Sequence, residues 1–404
     1  MVYAAIGASI TPNRKHLVQL EEVEEMRIQF LAVLIGLGLS AAAQAGNVSA
    51  QISGGHLYLY GDAGGSNLTV DSTADGQVRV TGTVTADGED TVVNGQPNGS
   101  VELSGWTRGI YNYSYAGNDT LSLVGLTIQG PAHIDLGEGA DGFIVGELVT
   151  IPVGVEGNAA PAAGAPSSAK SFFVLGLGGS DTVILNDLFV EGAATLDLGN
   201  GEDLVFIGSP AQDPANVSVV FSQSCVIVPG NQADSISISS TDVYRNLIVD
   251  DAQGELLLDI SDVNVDDSVF IYGTPANDQI NTQNLNVTRL LKVISEGGDD
   301  DIVLAGTSDT TEVFPGLGND SVLLVDLATT RASVYLDPGN DEVDVQGGSY
   351  SFLYGYGGGG NDLFRLQNTS ISQAFLYGDG GSDSYVNGGG NMIGKLNLFS
   401  IENK

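Results

Sequence analysis

A phrase of glycine, one variable residue, aspartate and then alternating apolar positions returns along this chain at nearly fixed intervals, and that period limits the folds open to it. It reads Gly117-Asn118-Asp119, Gly139-Ala140-Asp141, Gly179-Ser180-Asp181 and Gly201-Glu202-Asp203. It returns as Gly298-Asp299-Asp300, Gly318-Asn319-Asp320, Gly339-Asn340-Asp341, Gly360-Asn361-Asp362 and Gly381-Ser382-Asp383. Gly88-Glu89-Asp90 is a further copy, and Gly65-Ser66-Asn67 carries Asn in place of Asp. From Asp278 through Asp300, Asp320, Asp341 and Asp362 to Asp383 the steps are 22, 20, 21, 21 and 21 residues. A period of this length marks a solenoid, in which each repeat buries its apolar face only against its neighbours.

The residues two and four positions after the Asp are apolar, as in Val183/Leu185, Val322/Leu324 and Phe364/Leu366. Apolar residues also stand seven and five before it, as in Ile134/Leu136 and Val334/Leu336. Both alternations predict strands with one face buried. A coil therefore reads strand, Gly-rich turn, strand, then a variable stretch with room for a third strand. Gly, Asn, Asp and β-branched residues are poor helix formers, so a helical repeat is disfavoured. The expectation is an all-β chain, a single right-handed parallel β-helix over residues 46–404 with coils of about 21–22 residues, roughly 14 of them. The steps from Asp90 to Asp119, Asp141 to Asp181 and Asp203 to Asp234 are irregular at 29, 40 and 31. The last two coincide with Ala-, Pro-, Gly- and Ser-rich sequence near 157–169 and 209–216, read as insertions from one coil. Midway between Asp234 and Asp278, Gly254-Glu255-Leu256 is a copy whose Asp has become Leu.

Upstream of the repeats, Arg27, the apolar run Ile28 to Leu39 and Ala43-Gln44-Ala45 have the form of a secretory signal peptide over residues 26–45. Residues 1–25 then read as an upstream extension from a mis-assigned start, with Met26 as the true one. Localisation outside the cell or at its surface is expected, with the periplasm as the alternative, and no membrane span after cleavage. Of the chain's 13 basic and 50 acidic residues, three and four lie in residues 1–45, leaving ten against 46, a balance of −36. That charge excludes a nucleic-acid partner, whose phosphates need a basic surface. The single Cys225 permits no internal disulfide and lies in the apolar run Ser224-Cys225-Val226-Ile227-Val228, as a buried small hydrophobe.

The turns resemble the hemolysin-type (RTX) calcium-binding repeat. Gly357-Gly358-Gly359-Gly360-Asn361-Asp362-Leu363-Phe364 fits its pattern throughout, and Gly176 to Val183 and Gly378 to Tyr385 each miss one Gly. The likeness covers one edge of each coil rather than the whole, since that family's repeat is nine residues with two turns per coil. It implies Ca²⁺ held by carboxylates and backbone carbonyls of adjacent turns, a donor set hard cations prefer. The candidate metal residues are Asp90, Asp119, Asp141, Asp181, Asp203, Asp300, Asp320, Asp341, Asp362 and Asp383. Asp234 and Asp278 lack the Gly two positions before and are poorer candidates. The alternative is a metal-free corner, in which Asp bonds to nearby backbone N–H groups and Gly supplies positive φ.

The function expected on these grounds is that of an exported, non-enzymatic structural or adhesive protein, monomeric, with cell-surface polysaccharide or other surface proteins as partners. A polysaccharide lyase or hydrolase is the rival. It needs a base or a carboxylate pair facing one groove, and here the basic residues are scattered and the acids belong to the repeating turn. No phosphate-binding loop, serine-nucleophile motif or zinc spacing is present. Tyr58, Tyr60, Tyr354, Tyr356 and Tyr377 recur near the turns as an aromatic ladder, for cross-coil packing or for contact with a sugar or protein. Leu396 to Ile401 reads as a last apolar strand that caps the solenoid.

Overall fold

The computed structural model describes residues 46–146, 149–151, 171–208 and 219–403. The leader, the upstream extension and both insertions fall outside the described residues. Those residues contain no helix and form a parallel β-solenoid of about 12 turns.

Alternation along each strand becomes a column across the coils. Thr182–Leu185 pairs in parallel with Gly142–Gly146 on one side and Leu204–Ile207 on the other, so Val183 lies between Phe143 and Val205. The same register carries the column on through Ile236, Leu258, Ile280, Ile302 and Val322. Every member is at most 1% exposed. Burying an aliphatic side chain of this size contributes roughly 1.5–3 kcal/mol, so the columns stabilise the stack coil by coil.

Two of the corners around this interior carry a recurrent backbone signature. The first turn holds the repeated Asp. The second corner follows six residues later, with a left-handed backbone at Asp187 (φ 48°), Ser240 (φ 45°), Asp262 (φ 55°), Asn284 (φ 53°), Asp326 (φ 47°) and Asn368 (φ 52°). Asx residues tolerate this conformation because the short polar side chain bonds locally. Asp234–Val243 and Leu256–Val265 are single ten-residue strands bent at that corner, and pair across it. Beyond it runs the expected third strand, as in Leu188–Val190 between Val149–Ile151 and Val219–Phe221.

The first turn explains the invariant glycine of the phrase. A Cβ on Gly139, Gly201, Gly318 or Gly360 would collide with a carbonyl oxygen in the preceding coil's turn, and φ there is +145° to +150°. Close approach of backbone to backbone, together with a conformation closed to L side chains, demands glycine.

The number of turns falls below the 14 read from sequence, and the start of the solenoid is the reason. Asn47–Ser53 pairs antiparallel with His56–Tyr60, and Val78–Thr83 pairs antiparallel with both Asn67–Ser72 and Ser100–Leu103. His56–Tyr60 and Asn67–Ser72 pair in parallel with Ile110–Tyr113 and Thr120–Val124 as the first rung, while 47–53 and 78–103 double back on them as hairpins that close the open end of the stack, where the glycine phrases had suggested a further coil.

Candidate functional site

The repeated Asp side chains point inward and form a ladder. The Oδ1 of each accepts the backbone N–H of the residue at the same position one coil earlier. Asp141 accepts from Asp119 at 2.7 Å, Asp181 from Asp141 at 2.9 Å, Asp203 from Asp181 at 2.7 Å and Asp234 from Asp203 at 2.7 Å. A second run starts at Asp278, which accepts from Leu256 at 2.8 Å. It continues through Asp300 (2.7 Å), Asp320 (2.9 Å), Asp341 (2.8 Å), Asp362 (3.1 Å) and Asp383 (2.9 Å). At the near end Asp119 accepts both the N–H and the hydroxyl of Ser66 at 2.7 Å. At the far end the Glu402 carboxylate receives the Asp383 N–H at 2.9 Å.

All these aspartates are buried, none more than 3% exposed. The second oxygen, Oδ2, of Asp119, Asp141, Asp181, Asp203, Asp234, Asp300, Asp320, Asp341, Asp362 and Asp383 is buried and has no hydrogen-bond partner. That of Asp278 takes the Thr274 N–H at 2.7 Å. Burial drives the acid constants upward, with the neighbouring carboxylates adding to it. Asp181 reaches about 9, Asp141 and Asp300 about 8, and Asp119, Asp203 and Asp341 about 7. Asp234, Asp278 and Asp362 stand at about 6. Two charged carboxylates one coil apart, ~4.8 Å, repel by about 3–4 kcal/mol at an effective dielectric constant of ~20. Such a column calls for protons or cations.

Leu256 occupies the ladder register beside Asp234, and so interrupts it. The acid is restored from the neighbouring position. Asp251, five residues earlier, is 4% exposed, and its Oδ2 has no partner. Burial first, and then the charges of Asp234 and Asp278, raise it to about 7. In intact rungs that fifth-before position often holds glycine, and a Cβ on Gly176, Gly357 or Gly378 would collide with the Oδ2 of Asp181, Asp362 or Asp383.

Nine of the ten aspartates singled out in the sequence lie in this ladder. Asp90 does not. It is exposed, in the hairpin region, and accepts a hydrogen bond from the Asn98 amide. Asp234 and Asp278 are full members without the glycine two before them; Gln232 takes the positive φ (97°) in its place. Glu402 and Asp251 went unrecognised in the sequence because neither sits in the phrase. A second ladder on the outside of the turn was also missed. Asn340 donates to Asn319 at 3.1 Å and Asn361 to Asn340 at 3.0 Å through their amides. Its signal was the repeated Asn just before the Asp.

As a site for a hard cation, the ladder offers the right charge and the right kind of oxygen in its unpartnered Oδ2 atoms. Backbone carbonyls would have to complete any coordination shell. Among the described residues no group of three or more His, Cys, Asp or Glu side chains is placed to hold a metal ion. A shallow groove bordered by Ser308, Thr329, Thr330, Ser349, Ser351 and Ser370 has neither a carboxylate nor a basic group in its lining.

On the outer face of the sheet that precedes the turn, aromatic rings stack from coil to coil. Phe314, Tyr335, Tyr356, Tyr377 and Phe399 lie 4.5–5.0 Å apart and within 8° of parallel. Tyr58–Tyr111 (5.1 Å) and Tyr60–Tyr113 (5.5 Å) begin the same face at the other end. No protein-family model, curated protein or solved structure matches the chain.

Proposed function

We propose that this protein is an exported, non-enzymatic β-solenoid with a structural or adhesive role, and that Ca²⁺ completes its ladder of carboxyl groups outside the cell. One observation carries the reading: ten buried Oδ2 atoms have no hydrogen-bond partner, and among the described residues no ion pair sets a basic side chain against these aspartates. Asp119, Asp141, Asp181, Asp203, Asp300, Asp320, Asp341, Asp362 and Asp383 would hold the ions, and Asp90 stands apart from them. Bound calcium supplies positive charge and oxygen coordination, not chemistry on a substrate. The ion would offset the repulsion along the column, so folding couples to its concentration. Low cytosolic Ca²⁺ would then keep the chain unfolded until export.

The raised acid constants favour a second reading, in which protons take the place of the ions and the turns are metal-free. Thermal melts of the full chain at neutral pH, in EDTA, in Ca²⁺ and in Mg²⁺, separate the two. A large rise specific to Ca²⁺ is expected. An unchanged melting temperature with full β-structure in EDTA would leave the proton-filled ladder standing and remove the calcium.

A further inference from the structure

We infer that the outer face of the sheet preceding the turn, over the last coils, is a docking strip for an anionic polysaccharide laid along the solenoid axis. The inference rests on the adhesive reading above and names its ligand class and its site.

The stacked column of Phe314, Tyr335, Tyr356, Tyr377 and Phe399 uses up its ring faces in contact with one another. What it turns outward is ring edges and the hydroxyls of Tyr335, Tyr356 and Tyr377. An aromatic ring is negative on its face and positive at its edge, so the column offers a favourable border to anions. It offers little to a neutral sugar that would stack on an open face.

The distribution of cations points the same way. Lys292 stands 5.1 Å over the Phe314 ring, Arg331 5.5 Å over Tyr354 and Lys395 5.9 Å over Phe375. Tyr354 and Phe375 form a second stacked column (5.1 Å) beside the first. Ion pairs among the described residues involve Arg79, Arg289 and Arg365, and none of these three cations. Only 13 basic residues occur against 50 acidic ones, yet three lie on one strip without a carboxylate partner. Glu312 stands next to Lys292 in register, whereas Arg331 and Lys395 share the neighbouring column with Thr310, Phe352 and Gln373. Rings recur at the coil spacing, about the length of one sugar residue in an extended glycan, and the cations follow at intervals of two and three coils, so a polymer running along the axis meets an aromatic border at each coil and a cation at intervals. The acidic bulk of the molecule is screened beyond ~8 Å at physiological salt, leaving the local charges to decide.

The test is equilibrium binding of the full chain to polygalacturonate, with neutral dextran alongside, at about 0.15 M salt and constant Ca²⁺. Binding to polygalacturonate and none to dextran is expected. Arg331→Gln with Lys395→Gln should weaken it about tenfold at unchanged melting temperature, whereas Arg245→Gln, away from the strip, should leave it intact. A folded wild type that ignores polygalacturonate overturns the inference. Equal binding of dextran, undiminished binding by the double variant, or an equal loss with Arg245→Gln does so as well. The Ca²⁺ dependence of the melt reads the proposed function separately, so the two can fail independently.

Discussion

Replacing Asp181 by Asn separates protons from calcium in the ladder by the sign of its effect. Asp181 is held at about 9 against an ordinary 3.8 and is fully buried. Folding at pH 7 without metal therefore requires it to keep a proton that the unfolded chain has lost. The difference between 7 and 3.8 is about 3 units, or about 4 kcal/mol at 1.36 kcal/mol per unit. Asn keeps the Oδ1 acceptor for the Asp141 N–H and needs no proton. Its amide lies where the Oδ2 had no partner, which costs about 1–3 kcal/mol. In EDTA at pH 7 the variant should thus gain about 1–3 kcal/mol, roughly 2–6 °C in a thermal melt. In saturating Ca²⁺ the order should reverse, because the variant has given up a charged ligand. Urea titrations and melts in both buffers give the four numbers. A variant less stable than wild type in EDTA refutes the proton argument. One whose Ca²⁺-induced rise equals that of wild type refutes calcium at this rung.

Without metal, the raised constants make the fold acid-tolerant. An acid whose folded constant lies above its unfolded one binds more protons when folded, so stability is greatest below about pH 4 and falls as pH rises through 6 to 9. Melts in EDTA between pH 4 and pH 9 should decline steadily, and a flat profile would contradict it. Gly360→Ala, forcing a Cβ onto the Gly339 carbonyl, should cost about 2–4 kcal/mol in urea titrations, while Gly76→Ala, with open space around it, should cost less. Asp251→Asn should likewise gain stability in EDTA at pH 7, although it lies outside the repeated phrase, and urea titration reads it. Cys225, fully buried and pushed up to about 12, should resist thiol reagents in the folded chain and react fully in denaturant.

The coil was legible in the sequence because its two strongest constraints are local. Alternation after each Asp fixes a buried face, and the glycine two before it answers a collision between neighbouring turns. The second corner was equally local, an Asx, Ser or Gly six residues after the Asp, but its identity drifts between Asp187, Ser240, Asn284 and Gly347, which hides the period. What resisted reading was compensation across coils. Leu256 looked like a lost rung, and only its contact with the next coil shows Asp251 filling the gap. Asp90 carried the phrase without the ladder, since neighbouring sequence cannot tell a coil from a hairpin. The inward direction of the carboxylates, too, follows from stacking and is invisible in one repeat.

The ladder bonds run one way, each rung's N–H satisfied by the carboxylate of the coil after it, except at Asp234, which bonds to the Glu255 carbonyl, and the last by Glu402. Interior rungs that carry the Asp are thus interchangeable, and the two ends and the Leu256 rung are particular. Removing or duplicating one whole Asp-bearing coil leaves as many ladder donors and acceptors matched as before. Length becomes a quantity that evolution can alter without repacking a core, so chains of this design can differ in reach while sharing the same two caps.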